Sequence, residues 1–168
     1  MSYSLTQQTQ TLLVRDFAGT YVPANAEDIL AAARRVIQDK YRRGVDLSSP
    51  TAVREYLTVL LGAYEHEVFT VLFLDAHFRL IACREMFRGT VSQTSVYPRE
   101  VVKEALQHNA AAIMCAHNHP SGNPEPSQAD QMITNTLRTA LSLVDVRLLD
   151  HIIVAGNQSL SFSERGLL

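Results

Sequence analysis

Apolar positions between residues 25 and 62 recur at helical spacing. Residues 1–24 show no clear period, and we expect them to be partly ordered at best. From Asn25 onward, apolar residues return every three or four positions, which predicts a helix that ends at Gly44. Ser49, a capping residue followed directly by proline, begins a second predicted helix that runs to Gly62. The pattern therefore predicts only helices in this part of the chain.

The pattern changes after Glu67 to short apolar runs rich in β-branched and aromatic residues. Val68–Asp75 and Arg79–Phe87 are separated by a turn, which predicts a hairpin. Ala110–His117 is continuously apolar, as is typical of a strand covered on both faces. The remaining predicted elements are helices over 98–109 and 127–143 and strands over 146–156 and 159–164. This alternation predicts a mixed fold of the α/β (α+β) class.

Composition narrows the class of protein. The 168 residues suffice for one domain with a real core, and 46% apolar with 19% charged residues is ordinary for a soluble globular protein. No apolar run is long enough to span a membrane, and the N-terminus lacks the features of a signal peptide. Cys83 and Cys115 lie in apolar segments outside any CxxC pair, which favours buried thiols in a reducing compartment. We therefore expect a cytoplasmic protein without a membrane partner.

Charge gives little support to a nucleic-acid partner. The formal net charge is −2, with 15 basic and 17 acidic residues, whereas a nucleic-acid-binding domain usually carries a basic excess. One basic cluster, Arg34–Arg43, lies in the first predicted helix. It is interpreted either as a solvated helix face or as a local strip that binds phosphates. A nucleic-acid partner stays open on this cluster.

The stretch HNHPSGNPEPSQAD contains a candidate metal site. His117 and His119 are two residues apart at the end of a predicted strand, so both rings point to the same side. The proline-rich loop that follows is stiff and can bring Asp130 back toward them. Two imidazoles and one carboxylate leave a fourth tetrahedral position open, as in catalytic zinc sites. Alternatively, Ser127 and Asp130 only cap the next helix.

The same stretch resembles a known motif. The pattern H-x-H-P-x-G-x(4)-S-x-x-D is similar to the JAMM motif of MPN-type metalloproteases, and its places fall on His117, His119, Pro120, Ser127 and Asp130. The segments EVFTVLFLD, FRGTVSQTSVYPREVVKEAL and LDHIIVAG resemble the bacterial RadC-like (UPF0758) family. The resemblance covers about residues 48–168. It divides the chain into a helical N-terminal extension over 1–47 and an MPN domain over 48–168.

The resemblance implies an MPN/JAB fold of cytidine-deaminase-like type, with a curved mixed β-sheet flanked by helices. It implies one zinc ion held by His117, His119 and Asp130. It also implies a glutamate that acts on the bound water, and the family pattern E-x-F-x-V-L-x-L-D places this residue at Glu67. Spacing alone does not separate Glu67 from Glu65 or Glu85, which also flank strands. Ser127 matches a serine that helps to hold the developing oxyanion.

Three functions follow from these observations. The first is a zinc-dependent hydrolase that cleaves an amide or isopeptide bond in a protein or peptide substrate. The second is an accessory protein of DNA repair or recombination that uses the MPN domain as a scaffold, although the helix-hairpin-helix region of longer members is not recognisable here. The third, a non-catalytic interaction module, is disfavoured because all three ligand positions are filled.

Other polar residues receive simpler interpretations. We expect His151, in an apolar strand, to be a satisfied core or edge histidine rather than a ligand. His66 either tunes the site or faces water, and we expect the second. Arg99 either holds an active-site carboxylate or lies on a helix surface, and we again expect the second.

Overall fold

The computed structural model describes residues 12–15, 17–40, 47, 49–89 and 95–168. The elements, in chain order, are β1 (Leu13–Arg15), β2 (Tyr21–Pro23), α1 (Ala26–Lys40), α2 (Pro50–Leu61), β3 (Val68–Leu74), β4 (Leu80–Arg88), α3 (Pro98–Gln107), β5 (Ala112–Asn118), α4 (Gln128–Ser142), β6 (Arg147–Ala155) and β7 (Gln158–Ser161). This mixed arrangement confirms the predicted fold class. The predicted helix end at Gly44 lies outside the described residues.

The N-terminal extension is not purely helical. Strands β1 and β2 pair antiparallel before α1 begins, so the part of residues 1–24 that the structure describes contains a hairpin. The expectation that residues 1–24 are partly ordered at best stays a prediction. The turn between them contains Gly19 at φ +84, a conformation that side chains with a Cβ rarely adopt. Arg15 Nε donates to the Gly19 carbonyl oxygen at 3.1 Å. Strands of three residues are too short to show the alternation by which a strand is identified.

The predicted helix starts are explained by their caps. Asn25 Oδ1 accepts a hydrogen bond from Asp28 N at 2.8 Å at the start of α1. Ser49 caps α2, where Pro50 occupies the first turn. Helix α3 ends two residues earlier than predicted, and Asn109, the second residue after its end, has φ +50. That left-handed conformation is incompatible with continuing a right-handed helix.

Five strands form one mixed sheet in the order β4-β3-β5-β6-β7. The predicted β3–β4 hairpin is confirmed, and β5 pairs antiparallel with β3 but parallel with β6. Because β5 and β6 are parallel, the connection between them must return along the sheet, and α4 lies in this connection. The predicted last strand is shorter than expected, because the chain turns after Ser161 and Arg165 N donates to its carbonyl oxygen at 3.2 Å.

Two apolar layers cover the sheet, one on each face. Successive side chains of β3 point to opposite faces of the sheet, so alternate residues belong to different apolar layers. Leu72 packs with Leu57 of α2, whereas Phe73 packs with Val101 of α3 and Leu137 of α4. His117 of β5 has the same parity as Cys115, which belongs to the layer beneath α3 and α4. This parity directs the His117 side chain toward the face on which α4 lies.

The described core begins at Leu47. This side chain is 1% exposed and packs against the α2 layer, and its backbone N donates to Phe78 O at 3.2 Å. The division of the chain between residues 47 and 48 stays a prediction. None of the helices in the described ranges combines the length and the apolar character needed to cross a membrane.

Candidate metal centre

The two histidines lie where β5 leaves the sheet. His117 is buried at 4% exposure, and its backbone position is opposite Phe69 of β3 and Ile153 of β6. His119 follows the strand, and its backbone N still donates to Val154 O at 2.8 Å. The extended backbone directs both rings to one side, and their Nε2 atoms are 2.9 Å apart. The structure thus brings the predicted histidine pair together.

Asp130 completes the cluster from the first turn of α4. Its Oδ1 lies 3.2 Å from His117 Nε2, and its Oδ2 lies 3.6 Å from His119 Nε2. One ligand atom from each of the three residues lies within 4.8 Å of the others. The rigid loop therefore returns the chain to the strand end, as its prolines predict.

The donor set suits a divalent cation such as zinc. The other nitrogen of each ring already has a partner, because His119 Nδ1 donates to Asn123 O at 2.7 Å and His117 Nδ1 lies 2.8 Å from His151 Nε2. Both Nε2 atoms therefore face each other beside the Asp130 carboxylate. Three electron-pair donors this close together can hold one cation between them, and imidazole and carboxylate are ligands that zinc accepts.

Contacts within the cluster shift the pKa values of His119 and Asp130. The contact with the Asp130 carboxylate raises the pKa of His119, against the opposite effect of burial. Burial alone would raise the pKa of Asp130, but the hydrogen bonds with His117 and His119 hold it well below its ordinary value. Asp130 is therefore ionised at neutral pH. An ionised carboxylate is the form in which this residue binds a metal.

Glu67 lines a small cavity together with two of the candidate ligands. This cavity of about 140 Å³ is lined by Glu67, His117 and Asp130 together with four apolar residues, Phe69, Val96, Ala129 and Ile133. Glu67 directly precedes β3, and its negative charge contributes to the raised pKa of His119. The other two glutamates differ, because Glu65 is exposed and Glu85 forms an ion pair with Arg88. Of the three glutamates, Glu67 is the one whose side chain adjoins the candidate ligands.

Ser127 caps α4 and contacts Asp130 directly. Its hydroxyl donates to Asp130 Oδ2 at 2.6 Å and accepts from Asp130 N at 3.1 Å. Its backbone N also donates to Asp130 Oδ2 at 2.7 Å, which completes a capping box. The capping interpretation is therefore confirmed, and the oxyanion role of Ser127 stays a prediction. The cap holds Oδ2, whereas Oδ1 is directed toward His117.

His151 has a closer relation to the site than its sequence context indicates. The residue is a buried, hydrogen-bonded core histidine, as expected, but its partner is His117. Burial lowers the pKa of His151 well below its ordinary value. Thr134 of α4 contacts its second ring nitrogen at 2.6 Å. Sequence could not reveal this contact, because it depends on the β5–β6 register and on where α4 crosses the sheet.

Asn118 is a residue that the sequence did not single out. Its side chain is 2% exposed and bridges to the segment before β3. Oδ1 accepts from Val68 N at 2.8 Å, and Nδ2 donates to His66 O at 2.9 Å and to Tyr64 O at 3.2 Å. These bonds fix the segment that contains Glu67 against the strand that contains His117.

His66 and Arg99 differ in how well they match their simpler interpretations. The expectation that His66 faces water is wrong, because its Nε2 is buried and has no hydrogen-bond partner among the described residues. The ring packs against Tyr64, with centroids 5.5 Å apart, and the Asn118 bonds to the backbone hold it there. Arg99 is exposed on α3, as expected.

The mixed sheet, the flanking helices and a His-x-His pair beside an aspartate together define a JAB-type domain with a candidate metal site. The family model described as "RadC-like JAB domain" matches residues 47–167. The chain therefore belongs to the RadC-like JAB domain family, and its fold is the MPN/JAB fold.

Relatives agree with this assignment. A UPF0758 protein of Herminiimonas arsenicoxydans is 56% identical over 145 residues, which is 86% of this chain and 65% of the relative. A UPF0758 protein of Vibrio cholerae is 56% identical over 140 residues, 83% of this chain and 88% of the relative. A UPF0758 protein of Variovorax paradoxus is 51% identical over 156 residues, 93% of this chain and 69% of the relative. The chain thus spans about two thirds of the length of the first and third of these relatives.

Proposed function

We propose that this protein is a zinc-dependent hydrolase that cleaves an amide or isopeptide bond in a protein or peptide substrate. The observation that carries the proposal is the convergence of His117, His119 and Asp130 on one point, with Glu67 on the wall of the same cavity. This arrangement provides three protein ligands and a neighbouring carboxylate, which are the parts of a hydrolytic zinc site.

Each residue has a defined task in this proposal. The Nε2 atoms of the two histidines and the Asp130 carboxylate would hold the metal. When bound, zinc supplies a Lewis acid and lowers the pKa of a coordinated water to about 7. A carboxylate oxygen of Glu67 takes the proton from the attacking water and then delivers it to the leaving amine. The Ser127 hydroxyl helps to stabilise the negative charge that develops on the carbonyl oxygen.

The shape of the cavity supports a chain-like substrate. Its volume of about 140 Å³ is below the roughly 300–1,000 Å³ of pockets that enclose a whole small molecule. Its apolar wall consists of Phe69, Val96, Ala129 and Ile133. A cavity of this size accepts one bond and its immediate substituents, while the rest of a peptide or protein remains outside.

The role of Glu67 is tested by Glu67→Gln, with Glu65→Gln as the matched control. Both changes remove one carboxylate, but Glu65 is exposed and does not line the cavity. Zinc-loaded proteins are incubated with a mixed peptide library and with peptides joined through lysine side chains, and newly released amines are labelled and counted. We expect turnover by Glu67→Gln to fall by about 10²–10⁴-fold, the usual contribution of a general base, with zinc still bound.

The Glu65→Gln variant should match the wild-type protein in turnover and zinc content. Undiminished turnover by Glu67→Gln, or loss of zinc from it, would contradict the role of Glu67. A zinc-loaded wild-type protein that releases no amines from either substrate set would contradict the hydrolase itself.

The proposal includes a cytoplasmic location and leaves nucleic acid as an alternative partner. Cys83 and Cys115 are free thiols, which suits a reducing compartment. Within the basic cluster Arg34–Arg43, the structure describes the side chains of Arg35 and Val36, and both are exposed. A solvated helix face and a phosphate-binding strip both fit this exposure, so the nucleic-acid prediction stays open.

A further inference from the structure

A chain of short hydrogen bonds connects helix α4 to the back of the His117 ring. Thr134 Oγ1 lies 2.5 Å from the Asp130 backbone oxygen and 2.6 Å from His151 Nδ1. His151 Nε2 in turn lies 2.8 Å from His117 Nδ1. Thr134 and His151 are 1% and 0% exposed, so water does not compete for these bonds.

The direction of each proton in this chain follows from its first acceptor. A backbone carbonyl oxygen can only accept, so the single Thr134 hydroxyl proton points to Asp130 O. Thr134 Oγ1 must then accept from His151, which places a proton on His151 Nδ1. A neutral His151 ring has no proton on Nε2 and accepts there from His117 Nδ1. In a neutral His117 ring with its proton on Nδ1, the lone pair is on Nε2.

The surroundings of His151 favour the neutral ring that this argument requires. Its ring packs against Phe69 and Phe162, with centroid distances of 5.5 Å and 4.8 Å. Both of its ring nitrogens contact other groups than a carboxylate oxygen, namely Thr134 Oγ1 and His117 Nδ1, so a buried imidazolium here would lose its hydration and gain little in return. His151 Nε2 contacts the Nδ1 atom of His117, and an imidazole ring supplies no negative charge.

We propose that Thr134 and His151 are positioning residues that fix His117 as its Nδ1–H tautomer and thereby direct the Nε2 lone pair toward the metal position. The backbone oxygen of Asp130 accepts the Thr134 proton and so sets the direction of the hydrogen bonds in the chain. One turn of α4 therefore supplies a candidate ligand, Asp130, and also Thr134, which orients the ligand His117 through His151. His119 is oriented separately, by the Asn123 carbonyl oxygen at 2.7 Å. The metal-binding consequence of this inference rests on the proposed zinc centre, whereas the tautomers themselves do not.

The tautomers are measured directly on the metal-free protein by long-range ¹H–¹⁵N correlation NMR of the histidine rings. We expect a protonated Nδ1 and a bare Nε2 for His151, and a protonated Nδ1 for His117. A proton on His151 Nε2, or protons on both of its nitrogens, would overturn the proposal. This measurement needs neither zinc nor a substrate.

The metal-binding consequence is tested with Thr134→Val and its matched control Thr134→Ser. Valine keeps the shape but removes the acceptor of the His151 Nδ1–H, whereas serine keeps the hydroxyl. Zinc affinity is measured by competition with a chromophoric chelator. We expect Thr134→Val to bind zinc about 10–100-fold more weakly, the usual effect of losing a partner behind a metal ligand, and Thr134→Ser to stay close to wild type.

Equal zinc affinity in the wild type and in Thr134→Val would overturn the positioning role, as would an equal loss in both variants. The proposed function and this inference are refuted by different experimental results. Tight zinc binding together with reversed tautomers refutes the positioning role alone. The expected tautomers in a protein that binds no zinc refute the zinc hydrolase and leave the hydrogen-bond chain in place.

Discussion

At the scale of single residues, the site depends on the groups that hydrogen-bond to each candidate ligand and hold it in place. The sequence predicted that His117, His119 and Asp130 lie together, because residues two apart on a strand share a side and the loop between is stiff. The sequence did not predict which groups contact the second ring nitrogen of each histidine. His151 Nε2 and the Asn123 carbonyl oxygen become neighbours of the histidines only when β6 and the loop have taken their places.

A residue-scale prediction concerns Ser127→Ala. The change removes the acceptor for Asp130 N and the donor to Asp130 Oδ2. We expect the free energy of unfolding to fall by about 1 kcal/mol, the usual cost of losing a cap. We also expect weaker zinc binding, because the carboxylate is held less firmly. Urea unfolding and a zinc competition titration measure the two effects.

The control for this change is Ser49→Ala, which removes the cap of α2. Ser49 Oγ accepts from Ala52 N at 3.4 Å, far along the chain from the candidate ligands. Its removal should lower stability without affecting zinc. If Ser127→Ala lowers stability but binds zinc as tightly as Ser49→Ala, then Ser127 acts on the helix only.

At the scale of elements, the site forms where β3 begins, β5 ends and α4 begins. The helices, the hairpin and the buried strand followed from caps and periodicity. The contacts between their ends did not, because Asn118 reaches residues about fifty positions earlier in the chain. Its three bonds secure the segment that contains Glu67. The short hairpin β1–β2 escaped prediction because its strands have only three residues each.

The element-scale prediction concerns Asn118→Ala. Removal of the side chain leaves the buried Val68 N–H without this acceptor and frees the segment before β3, so we expect unfolding free energy to fall by about 2–3 kcal/mol. Turnover should fall further than zinc affinity, since Glu67 loses its fixed position while the three ligands keep theirs. Chemical unfolding, metal titration and the amine-release assay measure these effects.

Asn135→Ala is the control, because Asn135 lies on the exposed face of α4 and its side chain contacts only Arg138 among the described hydrogen bonds. It should change none of the three quantities by much. Equal losses of zinc affinity and turnover in Asn118→Ala would show that the bridge supports the metal ligands rather than Glu67.

At the scale of the whole molecule, one sheet separates two apolar layers, and the candidate metal centre lies beneath α4 at the end of β5. The mixed class followed from the sequence, since helical and strand periods alternate along the chain. The strand order did not, because β3 and β6 flank β5 through pairings between distant segments. Family membership supplies the fold, but the names of the relatives describe no activity. The chemistry therefore has to be tested on the metal centre itself.

The most direct test is zinc-edge X-ray absorption spectroscopy of the zinc-loaded protein. The account predicts one zinc per chain with two imidazole nitrogens at about 2.0–2.1 Å and carboxylate or water oxygens at about 2.0–2.2 Å. The imidazole scattering should be halved in His119→Ala. A sulfur shell at about 2.3 Å, zinc without imidazole ligands, or a protein that takes up no zinc would contradict the account.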